Sequence, residues 1–195
     1  IMVVRMAVFY RFLGEEGYGL WFLAFSIMSY FVFYNFGINN AFIKYTAEFH
    51  AKGDYKRLSH LLSTGMAVAL CMGASIVLIL VLFTDTAIGF FNFEAENVAD
   101  ARFVVQGIGM VTAFAVGFGV YNSVLTGIQR LDVLNVCRIS FLTAEVLAAF
   151  GALYAGFGIR TLVFIYGTSI IGSNLAMGFF VYRFLPNLRL NPLLA

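Results

Sequence analysis

The sequence predicts an all-α integral membrane protein, and three observations predict it. Hydrophobic residues make up 62% of the 195 and charged residues only 11%, against about 45–50% and about 25% in a soluble domain. Mean hydropathy is +0.91, more apolar surface than a water-soluble globule can hide. The charges that remain punctuate the chain at membrane-spanning intervals. Residues 17–43, 58–84 and 103–129 are three charge-free stretches of 27 residues each. Arg138 and Arg160 enclose 21 residues with the single charge Glu145, and Arg160 and Arg183 enclose 22 with none. A spanning helix needs about 20 mostly apolar residues. Period-two alternation is missing, so barrel strands are excluded, and in lipid the backbone finds partners only within its own helix.

In chain order, the first element is a partial helix over about 1–13, too short to span and interrupted by Arg5. It lacks the small-residue cleavage site of a signal peptide, so it reads as the tail of a membrane helix. Gly14 is expected to end it in the left-handed conformation, with Glu15 and Glu16 at the positive end of the next helix, 17–43. Tyr18 and Trp21 fall at interface depth on that helix. Lys44 to Lys52, with Lys and Glu at i,i+4 spacing, extends it into water; Gly53 breaks it and Asp54 caps the third helix, 58–84. The fourth helix covers 101–127, the fifth 137–158 and the sixth 161–184, with connections at 44–57 and 128–136. The chain is expected to be a piece of a longer protein.

Orientation follows from the cations. Lys44, Lys52, Lys56, Arg57, Arg130, Arg138, Arg183 and Arg189 fall on one side, and Arg11, Arg102 and Arg160 on the other. The cation-rich side, with both connections, is expected in the cytoplasm. Six acids, among them Glu16, Asp85 and Asp100, fall on the opposite side. A net charge of +2 gives no case for a nucleic-acid partner.

Catalytic chemistry finds no support. His50 and His60 lack metal-ligand spacing, and neither Gly107-x-Gly109 nor Gly117-x-Gly119 completes a phosphate-binding glycine motif. The reading is therefore not an enzyme, with no catalytic residue, no metal and no cofactor. Cys71 and Cys137 lie at different depths and read as packing residues rather than a disulfide. Packing is better marked. Ala115, Gly119, Ser123 and Gly127, and likewise Thr168, Gly172 and Ala176, recur every four residues as small ridges that let helices approach closely.

Polar groups at depth are the candidate sites. Arg5 lies six residues inside Arg11, about 9 Å deeper at 1.5 Å per residue. It either snorkels or pairs structurally, or it binds an anion in a cavity. Glu145 lies two turns beyond Arg138; it either links to that arginine or another helix, or serves as a proton or cation site with Arg138. Asn35 and Asn39, with Asn40, either hydrogen-bond between helices or contact substrate.

The stretch Arg11-Phe-Leu13-Gly14-Glu15-Glu16-Gly17-Tyr18-Gly19-Leu20-Trp21 resembles the R-x-L-G-x-E-x-Y-G-L-W segment of polysaccharide-biosynthesis membrane proteins. These are the O-antigen and oligosaccharide flippases of the multidrug/oligosaccharidyl-lipid/polysaccharide (MOP) exporter superfamily. Tyr30-Phe31, Phe36-Gly37-Ile38, Lys44-Tyr45 and Ala47-Glu48 are similar to that family's second helix. Leu125-x-Gly127-x-Gln129-Arg130 is similar to its fourth-to-fifth helix connection. Asn35 stands where many relatives carry an acid, and Glu15 where a proline is common.

The resemblance implies that residues 1–195 are the N-terminal lobe of a two-lobed transporter, a partial first helix plus five transmembrane helices. It implies flipping of a polyprenyl-diphosphate-linked oligosaccharide in the cytoplasmic membrane of a prokaryote, in company with membrane lipid and a C-terminal lobe. Arg5 is then the first choice for the diphosphate. Two other classes stay open: a cation-coupled small-molecule exporter, which Glu145 suits, and a non-transporting scaffold of a polysaccharide-assembly complex.

Overall fold

The computed structural model describes residues 2–32, 38–90 and 98–188. They form seven helices: α1 (Met2–Val32), α2 (Ile38–Ala51), α3 (Tyr55–Phe90), α4 (Val98–Phe118), α5 (Val120–Gly127), α6 (Leu131–Tyr154) and α7 (Ile159–Phe184). No strand occurs among the described residues. Four spans are long and apolar enough to cross a membrane: Tyr55–Thr86, Val98–Gly127, Leu131–Tyr154 and Ile159–Phe184. The chain is a multi-pass helical membrane protein.

α1 is two antiparallel limbs, 2–13 and 15–32, hinged at Gly14, whose φ of 71° and ψ of −177° are not helical. A straight helix would hold residues 9 and 21 about 18 Å apart, yet the Phe9 and Trp21 rings meet at 5.5 Å and those of Tyr10 and Tyr18 at 5.8 Å. This doubling back turns Trp21 inward at its depth rather than leaving it open to the interface. The first limb covers the indole, leaving it 7% exposed inside a buried cluster.

The expected second helix, 17–43, falls partly on residues outside the description; what is described is the second limb and α2. α2 runs on to Ala51, so the expected connection 44–57 is mostly helical. Gly53, at φ 67°, ends it, and the Asp54 N–H donates to the Phe49 carbonyl at 2.9 Å. The Arg57 N–H then donates to Asp54 Oδ1 at 3.0 Å, capping α3. Lys52 pairs with Glu48 at 2.5 Å and, by hydrogen bond and charge, holds the Glu48 carboxyl below its ordinary value. The stability this pair gives α2 is present above that ordinary value and is lost as pH falls through the depressed one.

α4 and α5 are one span nearly straight through Gly119 (φ −61°, ψ −15°). The expected fifth helix, 137–158, starts and ends earlier. Asp132 suits the positive N-terminal turn, so α6 begins two turns before Arg138. Gly156, at φ 81°, closes it, with the Phe157 N–H donating to the Ala152 carbonyl at 2.9 Å. The expected connection 128–136 shrinks to a tight turn through Gln129 and Arg130, and Arg130 lies 4.1 Å from the Phe184 ring.

The α4–α5 span is the hub, packed by α1, α3 and α7, while α2 docks on α5 and α6 on α7. Glycines make the crossings. A Cβ on Gly73 would lie 2.7 Å from the Ala113 carbonyl oxygen, and one on Gly127 would lie 2.7 Å from the Thr46 side chain. Gly65 receives the Phe42 ring and Gly172 the Phe141 ring. Two apolar clusters result. One, around Trp21, Leu80, Ile108 and Leu162, lies toward the acid-rich end; the other, around Leu58, Leu125 and Val181, lies toward the cation-rich end. At the acid-rich end Asp85 meets Arg102 and Asp100 meets Arg160, each at 2.6 Å. Exposed pairs of this kind contribute about 0–1 kcal/mol, so they align the helices more than they hold them.

The crossings give a sharp test. Gly73→Ala places a methyl against a main-chain carbonyl that a side-chain rotation cannot relieve, and is expected to cost about 1–3 kcal/mol. Gly19→Ala, with open space around its Cβ, is expected to be neutral or slightly stabilising. Thermal unfolding of the two variants in detergent checks this; equal melting points would show that α3 and α4 do not cross at Gly73.

Candidate functional site

Between the two apolar clusters the helices carry a layer of small and polar side chains. The second limb contributes Ser29, α4 contributes Thr112, α6 contributes Glu145, and α7 contributes Ser169 and Ser173; of these Glu145, Ser169 and Ser173 are buried. Thr112 lies midway along the span Val98–Gly127, so the layer sits at mid-membrane depth.

A cleft of about 330 Å³ opens in this layer, lined by Phe25, Met28, Ser29, Thr112, Val116 and Tyr166 among others. Three helices build it. The second limb presents Phe25 and Ser29 one turn apart, α4 presents Thr112, and α7 presents Tyr166, whose ring stands edge-on to Phe25 at 5.0 Å. Trp21 backs the pair, 5.0 Å from Phe25 and 6.4 Å from Tyr166. The hydroxyls are anchored to their own helices: Thr112 donates to the Ile108 carbonyl at 2.8 Å and Ser29 to the Ser26 carbonyl at 2.7 Å. Each retains lone pairs that accept from a guest. The wall therefore offers ring faces and hydroxyl acceptors, a lining suited to ring-shaped polar guests. No group of three metal-binding side chains occurs among the described residues.

Of the residues singled out from sequence, Asn39, Arg138 and Glu145 are described, and they do not line this cleft. Arg5 sits in the first limb, one turn from Phe9, and its side chain lies outside the described residues, as does all of Asn35. Asn39 is exposed at the start of α2; its Oδ1 accepts from Ser123 Oγ at 3.4 Å, a helix-to-helix contact. Beside that pair is a pocket of about 40 Å³, also lined by Gly65 and Gly119, with room for a water. Glu145 is 6% exposed, on a stripe with Cys137, Ala149 and Leu153, whereas Arg138 is exposed. Phe25, Ser29, Thr112 and Tyr166 were not legible as site residues, because serine, threonine and single aromatics within apolar helices match ordinary packing. The available signal was Tyr166, a phenol well inside the 22-residue charge-free interval.

A second concavity, about 380 Å³, lies at the acid-rich end between the Gly14 turn and the turn after α6, with Glu16 and Asp100 on its wall. Asp100 there is occupied by Arg160, which donates through Nε at 2.7 Å.

Compared with known proteins, the chain matches the family model MatE over residues 2–154. No curated protein and no solved structure matches it.

Hydration separates the cleft from the lipid-facing surface. In a chain freed of Cys71 and Cys137, cysteines at positions 29 and 112 are expected to react with a membrane-impermeant thiol reagent in liposomes. A cysteine at Leu78, exposed on the apolar face of α3, is expected to stay unreacted. Equal reactivity at the three positions would remove the cleft from consideration.

Proposed function

The chain belongs to the MatE family, and from that premise we propose that it forms one lobe of a transporter that flips polyprenyl-diphosphate-linked oligosaccharide across the cytoplasmic membrane. MatE is a family of the MOP exporter superfamily, whose members are membrane transporters rather than enzymes. The observation that carries the finer reading is the mid-depth cleft with Phe25 and Tyr166 rings beside the Ser29 and Thr112 hydroxyls. A sugar chain cannot enter hydrocarbon unaided, because each hydroxyl left without a partner costs several kcal/mol. Ring faces take the apolar face of a pyranose, and hydroxyl oxygens accept from its O–H groups. The segment Arg11–Trp21, which resembles that of the polysaccharide exporters, forms the Gly14 hairpin that brings Trp21 behind this wall.

A diphosphate needs a cation, and Arg5 supplies one nine residues before Gly14, about 13.5 Å along the first limb. A guanidinium stays charged in any environment and offers a bidentate fork to phosphate oxygens. Asn35 and Asn39 are the further polar contacts of this reading. Alternating access then rocks this lobe against a second one. One observation favours the other transporter class: Glu145, buried at mid-depth on α6, suits a cation-coupled small-molecule exporter, with Arg138 on the same helix as its partner in exchange.

Flux measurements on the full-length protein in liposomes separate the two. Transfer of lipid-linked oligosaccharide without uptake of a cationic dye is the expected result; dye uptake driven by a cation gradient, with no lipid transfer, would establish the exporter instead. Within the first outcome, Arg5→Ala is expected to lower flux at least about tenfold, the scale of one charged hydrogen bond, at unchanged abundance. Arg5→Lys is expected to recover part of it. Wild-type flux from a well-expressed Arg5→Ala protein would remove Arg5 from the substrate path.

A further inference from the structure

We propose that the Tyr166 hydroxyl donates a hydrogen bond to the Glu145 carboxyl group, so that Tyr166 couples the mid-depth cleft to the buried acid of α6. The register of α6 against α7 carries the inference. Ser169 Oγ donates to the Phe141 carbonyl at 3.1 Å across the seam between these helices, and Gly172 admits the Phe141 ring beside it. The helices are antiparallel, joined by the turn at residues 155–158. One turn from that bond toward the acid-rich end, α6 reaches Glu145 and α7 reaches Ile165 and Tyr166. The turn gives the same answer from the other side. Glu145 lies nine residues before Tyr154, and Tyr166 seven residues after Ile159, about 13.5 Å and about 10.5 Å along their axes.

Burial places the two on the same junction. Glu145 is 6% exposed and continues the stripe of Ala149 and Leu153, which belong to the cluster of Trp21 and Leu162; Tyr166 packs against that same cluster. Both side chains are engaged within the bundle rather than free. The Tyr166 ring already has its place, edge-on to Phe25 in the cleft wall. Tyr166 is half-buried, and with its ring held between Phe25 and Trp21 its O–H directs toward a partner within the bundle. Glu145, an acid in a low-dielectric layer, needs a donor in either protonation state.

The consequence is a positioning role. A guest that stacks on or displaces the Tyr166 ring alters the hydrogen bond to Glu145, and by reciprocity a cation or proton taken up at Glu145 alters the cleft wall. This rests on the reading that the cleft holds the transported guest, but its first test needs no guest. In infrared spectra of the purified chain in nanodiscs at acid pH, the carboxylic C=O stretch of Glu145 is the band that Glu145→Gln removes. Tyr166→Phe keeps the ring and is expected to move that band to higher wavenumber, as loss of a donor does. A band left in place by Tyr166→Phe would overturn the proposal. Glu145→Leu removes the acceptor and gives the reciprocal measurement, a shift of one tyrosine phenol C–O stretch, should Tyr166→Phe express poorly; unmoved phenol bands would overturn it equally. In the full-length protein, with whichever substrate is carried, Tyr166→Phe and Glu145→Gln are each expected to lower maximal flux about tenfold with KM little changed. The double variant is expected to be no worse than either single one, and additive losses would show two independent residues.

Discussion

Every helix crossing in this bundle answers one constraint: lipid gives apolar side chains no reason to prefer each other over acyl chains. Helices in a bilayer associate through close packing and polar contacts, and here the close packing is made by glycines at the points of contact. Gly73 brings α3 against the Ala113 carbonyl of α4, Gly127 brings α5 against Thr46 of α2, and Gly107 brings α4 against Val163 of α7. Because the α4–α5 span takes part in each of these, its position sets that of its neighbours. The Phe25, Thr112 and Tyr166 walls of the cleft belong to α1, α4 and α7, and α1 and α7, besides touching each other, both pack on this hub. The cleft therefore depends on the crossings, and a shift at one of them changes its width.

The architecture was legible because charges cannot lie in hydrocarbon and turns have demanding dihedrals. Charge-free intervals located the long helices, and Gly14, Gly53 and Asp54 marked a hairpin, a helix end and a cap that the backbone shows in those places. Charge was a poorer guide to where a helix stops. Arg138 read as the edge of a helix, yet α6 begins at Leu131, since a long cationic side chain on a helix can reach water from within the interface. Trp21 read as an interface residue because its distance along the chain put it there. Its burial comes from the first limb folding over it, a tertiary fact that no local pattern carries.

The candidate site was less legible for a related reason. Charged residues stand out in an apolar sequence, so Arg5, Arg138 and Glu145 drew the first reading, with Asn35 and Asn39. Ser29 and Thr112 do not stand out, because each satisfies its hydroxyl on its own helix, as any serine or threonine in a membrane span does. What distinguishes them is convergence, three helices aiming ordinary residues at one space. That convergence is set by the hub, not by spacing within any one segment.

A polar layer between two apolar clusters has a mechanical meaning beyond its chemistry. Apolar clusters at each end resist deformation, because close-packed side chains lose contacts on any displacement. The middle layer is held instead by few and directional links such as Ser169 to the Phe141 carbonyl at 3.1 Å, and a longer one, Ser123 to Asn39 at 3.4 Å, lies toward the cation-rich end. Such links can exchange partners with water or a guest at small cost, whereas a packed core has no alternative partner to offer. Gly119, where the α4 hydrogen-bond ladder tightens as its N–H turns to the Val116 carbonyl at 3.4 Å, lies at the border of the two clusters, next to the small polar pocket. The layer that carries the hydroxyls is thus also the layer at which this bundle yields most easily. The weakest packing and the hydroxyls of this fold therefore lie at the same depth.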